Sequence, residues 1–91
     1  MKTMLLRVVK CGEETSVKRE NSEGGNMTKR TLVLQELGGN YENCYVVVTW
    51  NNLATIAFEE GSLVFATLQF RTHEFNGKLY QDIEATEIYK K

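Results

Sequence analysis

The sequence feature that most constrains the fold is the dipeptide Asn76-Gly77, which separates two runs of alternating apolar and polar residues. Asn-Gly between such runs is the strongest short-range signal for a β-hairpin, because both residues accept the positive φ angles of a tight turn. The turn predicts cross-strand pairs of Phe75 with Lys78, Arg71 with Asp82, Phe70 with Ile83, Leu68 with Ala85 and Phe65 with Ile88. This register is favoured because apolar residues face apolar residues and Arg71 faces a carboxylate.

The length of 91 residues suits one small domain, so residues 1–91 are predicted to share a single core. The chain has no proline, and its turns are expected at glycine and asparagine. Cys11 and Cys44 lie far apart, and His73 is the only other soft metal ligand. Because a zinc site needs more ligands than these, the two cysteines are predicted to be buried thiols.

The N-terminal region and the charge distribution bear on location and partners. The apolar run at residues 4–6 is interrupted by Arg7 and is shorter than the core of a signal peptide, so we expect a cytoplasmic protein without membrane contact. The net charge of −1 argues against nucleic-acid binding by bulk positive charge alone. Basic charge is nevertheless concentrated locally, because Lys18-Arg19 and Lys29-Arg30 bracket one polar loop.

Period-two patterns predict five strands, at residues 3–11, 29–36, 41–50, 63–75 and 78–88, with a long polar loop at 16–28. Gly12 is expected to mark a bulge beyond which the first strand continues to Thr15. Asn51-Asn52 offers N-cap chemistry for a helix of about two turns, and Gly61 is its candidate C-cap. Both faces of the third strand are apolar, so its inward face stays undecided. The core face of the fourth strand is predicted to carry Val64, Ala66, Leu68 and Phe70.

Five antiparallel strands with a helix between the third and fourth form the layout of the OB-fold, a partly open Greek-key barrel. The chain is therefore predicted to be an all-β, five-stranded OB-fold barrel with a short helix between strands three and four. The segments Trp50-Asn51-Asn52, Glu60-Gly61 and 71–83 also resemble a family of short bacterial OB-fold proteins akin to single-stranded-DNA-binding proteins. The resemblance covers residues 29–88, and it implies the fold and a role in binding single-stranded nucleic acid.

The residues that often carry catalysis or bind metals form no recognisable pattern. His73 has no nucleophile next to it, and no serine lies in a nucleophile-elbow motif. The adjacent acids Glu13-Glu14 and Glu59-Glu60 would point apart on a strand, which favours solvated charge over metal ligation. We therefore expect neither an enzyme nor a cofactor.

Binding to single-stranded nucleic acid requires cations for the phosphates and exposed rings for the bases. An OB-fold binds across its second and third strands and the loops that follow its first and fourth strands. The candidate residues in these places are Lys18, Arg19, Lys29, Arg30, Tyr45, Trp50, Arg71, His73, Phe75, Lys78 and Tyr80. Tyr45 would be the central stacking ring if it faces outward. The alternative for the basic pairs, and the commoner one for such residues, is that they are solubilising flanks of the loop, and Tyr45 and Trp50 are likewise more often core residues.

The sequence therefore predicts a non-catalytic protein that binds single-stranded DNA, with RNA as the alternative nucleic acid, without sequence preference. The alternative is a protein-interaction or assembly module that uses Phe65, Phe75 and Tyr80, and oligosaccharide binding is a third option for the same fold. Phe65 and Ile88 fall on the nominal outer face of the hairpin, which predicts that another element or subunit covers them. We accordingly expect a homo-oligomer, a dimer or higher.

Overall fold

The structure is a computed structural model that describes residues 2–18, 26–39 and 41–91. It is all-β, as the sequence predicts. The strands are β1 (Lys2–Cys11), β2 (Thr15–Lys18), β3 (Asn26–Glu36), β4 (Cys44–Trp50), β5 (Leu63–Phe75) and β6 (Lys78–Lys90). The predicted loop over residues 16–28 is wrong at both ends, because its first residues pair as β2 and its last residues extend β3.

The strands form one sheet in which β1 has two neighbours. The order is β1-β5-β6-β4-β3-β2, and β1 also pairs with β3, so five strands make a ring of hydrogen-bonded neighbours. Pairing between β1 and β5 runs from Lys2 to Arg7, and pairing between β1 and β3 runs from Leu6 to Cys11, both antiparallel. The ring is weakest between β4 and β6, which run parallel and meet at the single pair Val48–Glu84.

Two irregularities allow β1 to bend between its neighbours. The register with β3 shifts between Val8 and Lys10. After Cys11 the strand breaks at Gly12, whose N–H donates to the carbonyl oxygen of Thr31 (2.8 Å), and resumes on the same neighbour as β2. The irregularity predicted at Gly12 is therefore present. The chain beyond it is a separate strand, β2, and not a continuation of the first strand as predicted.

The core lies inside the ring. It consists of Leu6, Val8, Leu32, Leu34, Val47, Phe58, Val64, Ala66, Leu68, Ala85 and Ile88. The structure decides the face of β4 that the sequence left open, because Val47 and Thr49 are buried while Val46 is 62% exposed. Phe70 is 43% exposed, contrary to the core position predicted for it, because the hairpin leaves the ring near this residue. The prediction of buried thiols is also wrong for Cys44, which is exposed, whereas Cys11 is half-buried.

The hairpin register is confirmed over its distal part. Asn76 and Gly77 have φ angles of 51° and 76°, and Phe75–Lys78, Arg71–Asp82, Phe70–Ile83 and Leu68–Ala85 pair as predicted. The predicted pair Phe65–Ile88 is wrong, because the register shifts between Thr67 and Leu68 and Phe65 pairs with Tyr89. Thr86 is the extra residue of this β-bulge. Ile88 consequently turns into the core of its own chain, where it is 7% exposed.

The connection between β4 and β5 closes one end of the ring. It contains one 3-10 turn, Leu53–Thr55, rather than a two-turn helix, and no helix in the described part of the chain is long and apolar enough to cross a membrane. Asn52 is the N-cap residue but its side chain makes no capping hydrogen bond. Gly61, with φ of 91°, lies beyond the turn instead of capping it, and its N–H donates to the carbonyl oxygen of Val8 (2.7 Å).

Substitution of Gly12 tests whether the bend between β1 and β2 depends on close backbone approach. A Cβ atom at Gly12 would lie 2.7 Å from the carbonyl oxygen of Thr31, so Gly12→Ala forces a backbone shift. We expect a loss of about 1–3 kcal/mol in the free energy of unfolding, measured by urea denaturation with Trp50 fluorescence. Gly39→Ala is the matched control, because a Cβ there meets nothing within 4 Å. Equal unfolding midpoints for the two variants would contradict this account of the bend.

Candidate nucleic-acid interface

The outer surface of β3 and β4 has an apolar centre and a basic, aromatic end. Three successive outward-facing cross-strand pairs line it, namely Lys29–Trp50, Thr31–Val48 and Val33–Val46. The next strand around the ring is β6, whose Glu84 lies beside Val48. Exposed β-branched side chains in the middle of a strand provide a flat surface without charge. The sequence could not single out Val46 and Val48, because both faces of β4 are apolar.

Lys29 and Trp50, both predicted site residues, are brought together at the end of this surface. The Lys29 Nζ atom lies 5.7 Å from the centroid of the Trp50 ring, which is the geometry of a cation–π contact. Both residues are half-buried. The pair therefore places a positive charge and a large ring next to each other at an accessible position.

The hairpin extends beyond the ring as an arm formed by residues 71–82. Pairing of β1 with β5 ends at Leu68, and every side chain of the arm is exposed. Alternation along the two paired strands puts five predicted site residues on one face of the arm. These are Arg71, His73, Phe75, Lys78 and Tyr80.

The two rings in the middle of the arm hold each other in place. His73 and Tyr80 are stacked with ring centroids 5.3 Å apart and an interplanar angle of 17°. His73 Nδ1 also lies 3.0 Å from Asp82 Oδ2. Because these contacts orient both rings while leaving them exposed, they form a ready platform for a flat ligand.

Carboxylates on β6 offset part of the positive charge of the arm. Arg71 Nε lies 3.9 Å from Glu84 Oε2, and Arg71 Nη2 donates to Gln69 Oε1 (3.1 Å). Arg71 is exposed and Glu84 is half-buried, and an ion pair at such a surface contributes little to stability because water screens it. A phosphate group can therefore compete for Arg71 at a small energetic cost.

Arg30, although predicted to contact nucleic acid, has a structural role. It is 9% exposed and points into the ring. Its Nε donates to the carbonyl oxygen of Ala54 (2.8 Å), and its Nη1 donates to that of Gly12 (2.9 Å). Glu14 Oε2 lies 3.6 Å from its Nη2. Arg30 therefore ties β3 to the 3-10 turn and to the bend after β1, and we leave it out of the interface.

Tyr45 does not have the outward position that a central stacking ring would need. It lies on the inward-facing side of β4, half-buried, and makes an edge contact with Phe70 at a centroid distance of 6.2 Å. Its hydroxyl donates to Glu36 Oε1 (2.7 Å). This hydrogen bond, followed by burial and the negative charge of Glu36, raises the pKa of Tyr45 above 10.0.

The remaining two candidates lie at the edge of what the structure describes. Lys18 pairs through its backbone with Asn26 at the end of β2, and its side chain is outside the described part. Arg19 lies outside the described residues altogether.

No protein-family model matches this chain, and no curated protein matches it. Within residues 2–18, 26–39 and 41–91, no group of three His, Cys, Asp or Glu side chains is placed to hold a metal ion. The functional assignment therefore depends on the exposed rings, the cations and the shape of the surface.

The raised pKa of Tyr45 predicts a distinct alkaline titration. Because the pKa in the folded protein exceeds the ordinary value of 10.0, this group stabilises the fold below pH 10.0 and loses that contribution as the pH rises through the folded pKa. In a tyrosinate absorbance titration, Tyr45→Phe should remove the component that ionises at the highest pH. Tyr41→Phe, a control on a fully solvated ring, should leave it in place. Survival of that component in Tyr45→Phe would refute the assignment.

Proposed function

We propose that this chain is an OB-fold protein that binds single-stranded DNA, or alternatively RNA, without catalysis and without sequence preference. We propose further that it is a relative of the short bacterial OB-fold proteins that its Trp50 to Ile83 segments resemble. The site would combine the outer surface of β3 and β4 with the outer face of the arm.

The order of strands around the ring supports the OB-fold. If β1 and β2 are counted as one bent strand, five strands remain, and the first pairs with both the second and the fourth. The third and fifth strands run parallel where the ring closes, and a short helical turn separates the third from the fourth. A five-stranded, partly open barrel with a bent first strand has these features.

The observation that carries the binding proposal is the repeated pairing of a ring with a basic side chain on one continuous surface. Trp50 has Lys29 beside it, and Tyr80 has His73 beside it. Trp50 lies two residues beyond the Val48–Glu84 pair on β4, and Tyr80 lies four residues before it on the parallel strand β6. At about 3.3 Å per residue, the two rings lie roughly 20 Å apart along the strands. A strand of several nucleotides could contact both, in keeping with the site sizes of OB-folds.

The net charge of −1 makes base stacking the main source of affinity in this proposal. Glu84 lies next to Arg71 and Asp82 lies next to His73, so carboxylates offset part of the attraction of this surface for phosphates. Each base stacked on a ring contributes about 1–3 kcal/mol, whatever the base. The affinity should therefore fall only slightly as the salt concentration rises, since the slope of this dependence follows the number of phosphates neutralised.

Binding is tested by fluorescence anisotropy of a labelled oligothymidine of about 30 nucleotides, long enough for the site size of an OB-fold. We expect saturable binding that weakens with salt and is weaker for duplex DNA of the same length. Tyr80→Ala should weaken it about tenfold or more through loss of a stacking contact, and Lys29→Ala should weaken it and reduce its salt dependence. Glu84→Gln should tighten it, because Arg71 loses its carboxylate partner.

Tyr41→Ala is the matched control, because Tyr41 is a 99% exposed tyrosine outside the proposed surface. If Tyr80→Ala left the affinity unchanged, or if Tyr41→Ala weakened binding equally, the binding site would not be the proposed surface. No binding at tens of micromolar protein in low salt would refute the proposed function.

A second candidate function, assembly through a protein interface, is favoured by an apolar patch on the outer face of β1 and β5. The patch consists of Leu5, Leu63 and Phe65, with Leu5 directly opposite Phe65. Phe65 is exposed in the single chain. Exposed apolar groups that adjoin each other are typical of surfaces that contact another protein. We propose that this patch joins copies of the chain into a homo-oligomer.

Sedimentation velocity tests the oligomer. The wild-type chain should sediment as a dimer or larger species at tens of micromolar, and Phe65→Asp should shift it to the monomer by placing a charge in the interface. Phe75→Asp, which changes an exposed phenylalanine at the tip of the arm, should leave the mass unchanged. A monomeric wild type under these conditions would rule out self-association through the patch.

A further inference from the structure

An open groove of about 500 Å³ lies where β4 and β6 separate. Two aromatic residues, Trp50 and Tyr89, line it, and Leu53, Ile56 and Ile88 supply its apolar part. A concave site with apolar walls and a few polar groups is the usual form of a small-ligand site. The groove adjoins the proposed interface, because Trp50 belongs to both.

Two local irregularities create this groove. Beyond the Val48–Glu84 pair, β4 ends at Trp50 and the chain turns away at Asn51, which has a φ of 57°. On the other side, the bulge at Thr86 shifts β6 by one residue. Without that bulge, Glu87 and Tyr89 would face the core and Ile88 would face solvent. The bulge therefore directs a carboxylate and a ring toward the groove and keeps an apolar residue at its base.

Exposed polar side chains lie around the groove. Asn51, Asn52 and Glu87 contribute to its lining and are exposed. Within the described part of the chain, none of these three side chains takes part in a hydrogen bond or an ion pair, and Asn52 makes no cap bond. The groove thus offers one group that only accepts hydrogen bonds and two amides that both donate and accept.

We infer that the groove binds a single guanine base of the nucleic-acid strand, which adds a preference at one position to binding that is otherwise sequence-tolerant; this inference rests on the proposed function. Guanine is the base whose Watson–Crick edge carries two adjacent donors, N1–H and the N2 amino group, and a carboxylate can accept both. An Asn amide can donate to the guanine O6. Adenine and cytosine present a single amino group on this edge, and thymine presents one N–H donor between two carbonyl oxygens that Glu87 would repel. Trp50 and Tyr89 supply apolar contact for the ring itself.

Lys29 makes the site suitable for a nucleotide and not only for a base. Its ammonium group lies over the Trp50 ring, at the end of the outer surface of β3 and β4 where the groove begins. A phosphate bound there would be next to a base held in the groove. The base itself is uncharged, so the negative charge of Glu87 need not repel it.

Fluorescence of Trp50 tests the groove directly, because Trp50 is the only tryptophan in the chain. Guanosine, adenosine, cytidine and uridine monophosphates are titrated to millimolar concentration, with correction for nucleotide absorbance. We expect saturable quenching by the guanosine nucleotide at a concentration about tenfold lower than for the others, since charge-assisted hydrogen bonds are strong. Glu87→Gln should abolish this preference. Glu59→Gln, an exposed glutamate outside the lining, should retain it.

A second measurement separates failure of this inference from failure of the proposed function. An oligothymidine with one central deoxyguanosine should bind more tightly than oligothymidine alone, and Glu87→Gln should remove that gain. If oligothymidine binds but neither the guanosine nucleotide nor the substituted oligonucleotide is preferred, the guanine site is refuted and the interface stands. If guanine preference persists in Glu87→Gln, the groove assignment is wrong. If no nucleotide or oligonucleotide binds, both proposals fail.

Discussion

The structure depends on the pairing of one strand with two neighbours. The first half of β1 hydrogen-bonds to β5 and the second half to β3, which joins the hairpin to the middle of the sheet. This requires a bend, and the bend is made by the shift between Val8 and Lys10 and by the close approach of Gly12 to β3. Arg30 stabilises the same corner from inside the ring, because its guanidinium donates hydrogen bonds to the backbone carbonyls of Ala54 and Gly12.

The same closure explains where the candidate binding surfaces lie. Because β1 covers β5 only as far as Leu68, the hairpin continues as an arm with exposed rings on one face. Because β4 and β6 pair at a single position, the two strands separate beyond it, and the groove beside Trp50 opens between them. The proposed interface and groove therefore lie where strand pairing is incomplete. At the corner where β1 pairs with both β3 and β5, the strands are fully paired and no such surface opens.

The parts of the candidate site that could be predicted are those fixed by local pairing. The Asn76-Gly77 turn determines which residues face each other on the arm, so the shared face of Arg71, His73 and Tyr80 follows from counting. Whether the side chains of Arg30 and Tyr45 face inward or outward could not be predicted in this way. A basic residue beside a polar loop is usually solvated, and only the packed ring shows that Arg30 meets buried carbonyls and that Tyr45 reaches Glu36.

By itself, the sequence determined the all-β class, the tight turn and the distal hairpin register, since these depend on period-two patterns and on residues that accept positive φ. Tertiary structure decided the inward face of β4, because both faces are apolar and only the neighbouring strands choose between them. It also decided the bulge at Thr86. Regular pairing would have put Ile88 in water, and the insertion of Thr86 as the extra residue of the bulge instead buries Ile88 in the core. The same bulge turns Glu87 and Tyr89 toward the groove, which no pattern in the sequence indicates.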